Sequence, residues 1–247
     1  MEQRTEVVEC RSGATAFRML ASNEHERARL ATLERKEPET VRWIAEEFGA
    51  GDVLFDVGAN VGIFAILAAA QNRAGTVVAV EPMAASFARL CDNAMLNGLA
   101  NLRPYCLAIG AQNGLGELQL ASLEAASSMH SLGATGAFRE PIVMRAGIGV
   151  ATLDSLAAAA GVPNLLKVDV DGGEDDVLAG AGAVLHDPRL RSVLIEFNWL
   201  AGAAQTRRDA PLLRAGFTLE ELGTEYDRGE VRWQNGIYRR QRFQSGS

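Results

Sequence analysis

Residues 53–62, Val-Leu-Phe-Asp-Val-Gly-Ala-Asn-Val-Gly, run without a break into Ile-Phe-Ala-Ile-Leu-Ala at 63–68. No other stretch narrows the choice of fold as much. Apolar β-forming residues lead into an acid, a glycine-bearing turn and a short apolar helix. An unbroken apolar run of strand length suits a strand covered on both faces, as in a parallel sheet. Gly58 and Gly62 lie four residues apart, so the backbone bends tightly and nothing projects into the space above the strand end. Asn60 falls where a positive φ is needed, and Asn tolerates that better than most side chains. The helix that begins near Val61 turns its first free N–H groups toward the crevice. The stretch reads as a nucleotide-type ligand site, the plain alternative being a buried strand–turn–helix with no ligand.

The rest of the chain repeats the alternation. Residues 1–22 show no clear period and read as a peripheral arm, and 23–37 are rich in charge and helix formers. Pro38 suits the first position of a helix carrying Val41, Ile44, Ala45 and Phe48 on one face and ending at Gly49. Strands are expected at 76–80, 103–109, 165–170 and 191–197, with extra strands at 116–120 and 142–150. Helices are expected from Phe87 toward the Asn97-Gly98 stop, at 152–156, at 173–185 and at 206–215. Residues 217–222 and 231–238 read as a closing antiparallel pair. Strands alternating with helices give an α/β fold, a doubly wound and mostly parallel sheet of Rossmann-like form. The expected organisation is one domain over 1–247: an N-terminal arm and helices to residue 48, then a core over 49–240 with extra strands in 111–150.

A hydrophobic content of 48% against 22% charged residues is ample for a core, and the net charge of −7 argues against a nucleic-acid backbone as partner. The late arginines (Arg228, Arg232, Arg239, Arg240, Arg242) read as a solvated edge. Cys10, Cys91 and Cys106 are odd in number and widely spaced, which excludes a disulfide framework and fits a reducing, cytoplasmic compartment. No signal-peptide pattern stands at the start, and the apolar run at 61–70 is too short to span a bilayer.

Ligands of such sheets bind beyond the carboxyl ends of the strands, near the switch in strand order. That singles out Asp56, Glu81, Ala108-Ile109-Gly110, Asp169-Val170-Asp171 and Glu196-Phe197-Asn198. Glu81 lies 19 residues after Gly62, where a carboxylate accepts both ribose hydroxyls of an adenosyl group. Lys167, Asp169 and Asp171 alternate with valines and are expected on one strand face, as a ligand-using cluster or a self-neutralising pair. Glu174 and the acids after it suit the first turn of a helix. His130, in a polar loop, is a candidate general base or a plain surface residue. His25 and His186 read as surface residues.

The spacing D-x-G-x-x-x-G does not fit the G-x-G-x-x-G of dinucleotide sites. Asp-Val-Gly-Ala-Asn-Val-Gly resembles instead the first motif of class I S-adenosylmethionine-dependent methyltransferases, in the form found in the FkbM-type family. Glu81-Pro82, Asn97, Ala108-Ile109-Gly110, Thr152-Leu153-Asp154-Ser155-Leu156 and Lys167-Val168-Asp169-Val170-Asp171-Gly172-Gly173-Glu174 follow that pattern in order, over about residues 50–200. Two departures stand out: the family usually has Glu at Asp171 and Ala at Gly173. The resemblance implies S-adenosylmethionine as cofactor and methyl transfer to a hydroxyl oxygen of a small molecule, sugar or natural product. It implies cofactor binding by Asp56, Gly58, Ala59, Asn60, Gly62, Glu81, Pro82, Ala108, Ile109 and Asp169. Asp169, Glu196 and His130 are the candidate catalytic residues. The loop 121–141 with the N-terminal arm is the candidate acceptor wall. No metal is expected, because Lys167 beside Asp169 opposes a second cation. The rival readings are a non-catalytic cofactor-binding partner and a nucleotide-dependent oxidoreductase.

Overall fold

The computed structural model describes residues 5–128, 130–132, 141–200, 208–227 and 231–241, the side chains of Glu34 and Leu200 excepted. The described chain enters as an antiparallel hairpin, β1 (Glu6–Ser12) and β2 (Thr15–Ala21), where the sequence shows no clear period and reads as a peripheral arm. Alternation explains it: Phe17, Met19 and Ala21 are buried, while Arg18 is exposed and Leu20 half-buried. Asn93 and Asn97, one helical turn apart, serve the β2 backbone as a surrogate strand. Leu20 N–H donates to Asn93 Oδ1 at 2.8 Å, and Arg18 exchanges bonds of 2.8 and 2.6 Å with the Asn97 amide. Helix α1 (Glu24–Lys36) starts from a reciprocal Asn23–Glu26 capping box. Helix α2 (Pro38–Glu47) follows, its buried Trp43 donating to Ser192 Oγ at 2.8 Å.

Then come β3 (Val53–Val57), α3 (Ile63–Gln71), β4 (Thr76–Val80), α4 (Ala84–Leu96) and β5 (Leu102–Tyr105). Next are β6 (Ala108–Ile109), β7 (Gly114–Leu120), β8 (Ser131–Leu132), β9 (Met144–Ala151), α5 (Leu153–Ala160) and β10 (Leu165–Val168). The described chain finishes with α6 (Glu174–Ala179), α7 (Gly182–His186), β11 (Ser192–Leu200), α8 (Ala210–Arg214), β12 (Phe217–Leu222), β13 (Tyr226–Asp227) and β14 (Val231–Arg240). The main sheet runs β12-β14-β11-β10-β3-β4-β5, with β13 paired to β14. It is parallel from β11 to β5, and β14 is antiparallel to both of its neighbours β11 and β12. The fold is therefore α/β with a mostly parallel sheet. The chain moves outward from β3 to β5 and then returns to β10 on the other side of β3, so the strand order switches between β3 and β10.

The period of two along each strand assigns its residues to two cores. Leu54, Ala79, Leu165, Leu194 and Ile237 meet α2, α3, α4 and the hairpin. Phe55, Val57, Val78, Leu166, Val193 and Tyr238 meet α5, α6, α7 and α8. Each fully buried side chain of this size contributes about 1.5–3 kcal/mol of transfer free energy. Asp56 and Lys167, which are register partners on adjacent strands, fall on the first face among these apolar residues.

Two expected elements differ. The strand expected at 103–109 breaks into β5 and β6, and β6 belongs to a second sheet of order β6-β9-β7-β8. The helix expected at 173–185 breaks at Gly180, where a Cβ would lie 2.2 Å from Gly110 O. Asp154 then restarts the chain by accepting from Ala183 and Val184 N–H, both at 2.9 Å. Of the helix expected at 206–215, residues 206 and 207 lie outside the described residues. The closing antiparallel pair is present, as β12 and β14. Two of the late arginines are not simply solvated, while Arg232 keeps a side chain 40% exposed. Arg240 donates to the carbonyls of Leu190, Ala215 and Leu185 and stacks 4.4 Å from the Phe217 ring. Arg239 joins Glu47 to Glu220. Arg228 and Arg242 lie outside the described residues.

Candidate functional site

A cavity opens at the carboxyl ends of β3, β4, β10 and β11, around the switch in strand order. The first loop over it is fixed by backbone bonds: Gly58 and Ala59 N–H both donate to Val80 O at 2.9 Å. Gly58 (φ +85) stands so close to the end of β10 that a Cβ would lie 1.7 Å from Asp169 O. Asn60 has the expected positive φ, 52°. Its N–H donates to Glu81 Oε2 at 2.8 Å, and its amide donates to Ser127 O at 2.8 Å. Met83 N–H donates to the other Glu81 oxygen at 2.7 Å. Glu81 is thereby held still, with acceptor capacity left for a ligand, since a carboxylate offers about four lone-pair sites. Burial pushes its pKa up to about 7, against the pull of the Met83 and Asn60 N–H groups.

Beyond Glu81 the wall turns apolar, with Pro82, Leu107, Ala108, Ile109 and Leu118. A flat heterocycle would fit such a lining.

Beneath the opposite side lies a buried charge cluster. Lys167, whose side chain is 3% exposed, reaches Asp169 Oδ2 at 3.2 Å and Asp56 Oδ1 at 3.5 Å, with the Phe64 ring centre 5.3 Å away. Burial works against its charge, but Asp169, Asp56 and Glu37 together hold its pKa above the ordinary value. Asp169 is pulled the other way: despite burial, Lys167, Lys36 and Arg29 hold its carboxyl below the usual range. Asp56 rests against Lys167 Nζ at 3.5 Å, and burial raises its pKa against the field of Lys167. A buried cation and its acids fix each other in place, because removing either partner strands the other.

After Asp169 the chain folds around Glu174, whose Oε1 accepts from Val170 and Gly172 N–H at 3.3 and 3.1 Å. Burial raises Glu174 to about 7. β10 ends at Val168, so Asp171 does not share its face with Lys167 and Asp169 as the alternation predicts. It sits in a turn at φ 55° and still lines the cavity. Glu196 and Asn198 on β11 close the far wall with Trp233, the register partner of Asn198 on β14. Burial first, then the charges of Asp169 and Glu37, raise Glu196 well above the ordinary carboxylate range. Among the described residues the buried Asn198 Nδ2 finds no hydrogen-bond partner.

The cavity thus gathers Gly58, Asn60, Glu81, Pro82, Ala108, Ile109, His130, Asp169 and Glu196 from the residues singled out in the sequence. Ala59 lines a side chamber next to it. Asp56 and Gly62 stand behind the wall. Asp56 is 1% exposed beside Lys167, and a Cβ on Gly62 would lie 2.3 Å from Leu90 Cδ1, so this glycine admits α4.

His130 lines the cavity with both nitrogens engaged. Nδ1 accepts from Ala121 N–H at 3.3 Å, and Nε2 lies 3.0 Å from Ser127 Oγ, whose hydroxyl donates to Glu124 O at 2.6 Å. These partners assign a neutral imidazole protonated on Nε2. Burial, followed by the Arg29 charge, lowers its pKa to about 4. No lone pair is left to take a proton from a ligand, so the general-base expectation for His130 finds no support in this geometry, and the ring clips the loop instead. His25 and His186 are exposed, as expected.

The residues that sequence reasoning missed come from α1. Arg29 and Lys36 both line the cavity, and Arg29 Nε donates to Ala126 O at 2.8 Å. Helix α1 meets the described part of the loop after β7, its cap Asn23 also donating to Ala125 O at 2.9 Å. A signal was present: the two cations are seven residues apart and so share a helix face.

The family described as methyltransferase FkbM domain matches residues 56–226. The 31-O-demethyl-FK506 methyltransferase FkbM of Streptomyces tacrolimicus is 32% identical over 184 residues, 64% of this chain and 69% of that protein. The hexuronic acid methyltransferase AglP of Haloferax volcanii is 30% identical over 167 residues, 66% of this chain and 63% of that protein. Among solved structures, the precorrin-6y C5,15-methyltransferase of Geobacter metallireducens gives a TM-score of 0.49 at 11% identity, covering 83% of this chain and 90% of that one.

Proposed function

The chain belongs to the FkbM methyltransferase family, and from that premise we propose that it methylates a hydroxyl oxygen of a small-molecule or glycan acceptor. Its cofactor is S-adenosylmethionine, which supplies an electrophilic methyl group for in-line displacement. The residues present suit that group. Glu81 would accept the ribose hydroxyls, and Pro82, Leu107, Ala108 and Ile109 would enclose the base. The observation that carries the reading is the fixed, buried Glu81 carboxylate beside the Gly58–Asn60 loop, bonded to Asn60 N–H at 2.8 Å.

The O-directed part rests on the two relatives, whose names specify 31-O-demethyl-FK506 and a hexuronic acid. A hydroxyl acceptor must lose a proton as the methyl arrives, and the protein's task is to align the oxygen, exclude water and take that proton. Glu196 is assigned the proton: it lines the cavity, is 8% exposed, and its raised pKa makes it a stronger base than an ordinary carboxylate once ionised. Asp169, ionised and braced by Lys167, is assigned to hold the cofactor. No helix among the described residues is long and apolar enough to cross a membrane, and a cytoplasmic setting belongs to the same proposal.

The test is binding followed by turnover. S-adenosylhomocysteine should raise the melting temperature where NAD and NADP do not. Label from methyl-labelled cofactor should then enter hydroxylated acceptors, and be absent from amine and thiol analogues. Stabilisation by a dinucleotide alone would defeat the reading, and transfer to nitrogen would defeat its O-directed part.

Glu81 adds a pH dependence. Ribose hydroxyls donate to the ionised carboxylate, so binding favours deprotonation of a group that stands at about 7 in the free protein. Affinity for S-adenosylhomocysteine should therefore climb by up to about 10-fold per pH unit below that value and level off above it. Calorimetry in buffers of different ionisation enthalpy should record proton release near neutrality. A flat affinity from pH 5.5 to 8 (about the range where the two forms exchange) would place the hydroxyls elsewhere.

A further inference from the structure

Where Gly58, Asn60 and Asp169 form a shared wall, a side chamber of about 40 Å³ opens between the β3–α3 loop and α1. Helix α1 faces it with Arg29, Thr32, Leu33 and Lys36. This is the i, i+3, i+4, i+7 spacing that places side chains on one stripe. Asp169 and Glu37 also line the chamber, and Lys167 braces Asp169 at 3.2 Å. Val61, Ile63 and Phe64 supply an apolar part of the lining. The chamber therefore combines cations from α1 with the Asp169 carboxylate in a space sized for one small polar group.

The fold does not use up these cations. Arg29 spends Nε on Ala126 O at 2.8 Å, and its outer nitrogens have no protein acceptor among the described residues. Lys36 Nζ is 3.8 Å from Glu37 Oε1, beyond hydrogen-bonding distance, and 6.0 Å from the centre of the Trp233 ring. Both donors sit beside a cavity rather than in bulk solvent, where an ion pair with a ligand is screened less.

We propose that Arg29 and Lys36 bind the carboxylate of an α-amino acid tail whose ammonium meets Asp169, so that α1 recognises the amino-acid half of the cofactor. The proposal rests on the methyl-donor reading above and extends it to a helix that precedes the matched segment 56–226. A uronate on the acceptor would offer the same carboxylate but no ammonium for Asp169. A zwitterion satisfies both signs of charge at once. Arg29 suits the task because its planar fork pairs with a carboxylate in bidentate fashion.

Calorimetry with two ligands tests it: S-adenosylhomocysteine, and 5′-methylthioadenosine, which keeps the adenosine and lacks the amino acid. Arg29→Met should weaken S-adenosylhomocysteine by about 10-fold or more, the loss of a charge-assisted pair. It should leave 5′-methylthioadenosine at wild-type affinity. Lys36→Met should act in the same sense; it keeps the Arg29–Ala126 bond and so covers an Arg29 variant that fails to fold. Equal loss for both ligands would make the cations structural and overturn the proposal. Unchanged S-adenosylhomocysteine affinity would overturn it too, and a glucuronate-induced thermal shift lost in Arg29→Met would then move the carboxylate to the acceptor. A wild-type protein that binds both compounds equally well defeats the tail site alone. One that binds neither defeats the donor reading as well.

Discussion

Gly58→Ala should give a protein that has lost S-adenosylhomocysteine binding and melts well below the wild type. The added Cβ would lie 1.7 Å from Asp169 O and 2.7 Å from Asp169 C. Neither backbone can withdraw cheaply, because Gly58 N–H is bonded to Val80 O at 2.9 Å and Asp169 N–H to Val57 O at 3.0 Å. The ends of β3 and β10 would have to part, and the cavity proposed for the cofactor is built on that junction. The positive φ of +85° adds its own cost for any L side chain. Left-handed strain of about 1–2 kcal/mol and overpacking of about 1–3 kcal/mol together predict a large drop in melting temperature. Affinity should fall by about 100-fold or more, on a loss of roughly 3 kcal/mol. Gly13→Ala separates the two causes, since Gly13 has φ +54° with nothing within 4 Å of a Cβ. It should cost the backbone strain alone and leave binding intact. A Gly58→Ala protein that binds like the wild type would remove this junction from the site.

The reason Gly58 is needed was only half legible in the sequence. The spacing of Gly58 and Gly62 announces a tight turn, and the turn is there. Which atoms demand each glycine is a tertiary fact: Asp169 O for the first, Leu90 for the second. The parallel core was readable because its strands are apolar on both faces, and the strand ends named Glu81, Asp169 and Glu196 without further help. The hairpin at 6–21 was not, because only β2 carries a buried alternation and its edge is satisfied by two asparagines 73 and 79 residues away. Arg29 and Lys36 escaped notice for a different reason. In Glu-His-Glu-Arg-Ala-Arg-Leu-Ala-Thr-Leu-Glu-Arg-Lys charges stand on every side of the helix, and sequence alone does not say which face meets a cavity. His130 shows the converse. Its residue type invited a base, and only the partners on both nitrogens reveal a neutral clip.

Glu196→Gln should lower turnover by about 100-fold or more, the usual range for removal of a general base, with cofactor affinity nearly unchanged. The pH profile gives this prediction its edge. Burial, reinforced by the charges of Asp169 and Glu37, raises the Glu196 pKa well above that of an ordinary carboxylate. Below that pKa the group is protonated and accepts nothing, so kcat/KM should rise with pH and level off once Glu196 ionises. The Gln variant keeps the shape and loses the ascending limb. Asp169 behaves differently, because Lys167, Lys36 and Arg29 outweigh its burial and keep it ionised throughout. A carboxylate so stabilised is a poor base and a good partner for an ammonium group. Asp169→Asn should therefore lose cofactor affinity together with turnover. It should also move the ascending limb to lower pH, since the Asp169 charge is the largest cause after burial that holds Glu196 up. The opposite pattern, Glu196→Gln near wild type and Asp169→Asn slow but tight-binding, would transfer the proton to Asp169 and leave Glu196 as wall.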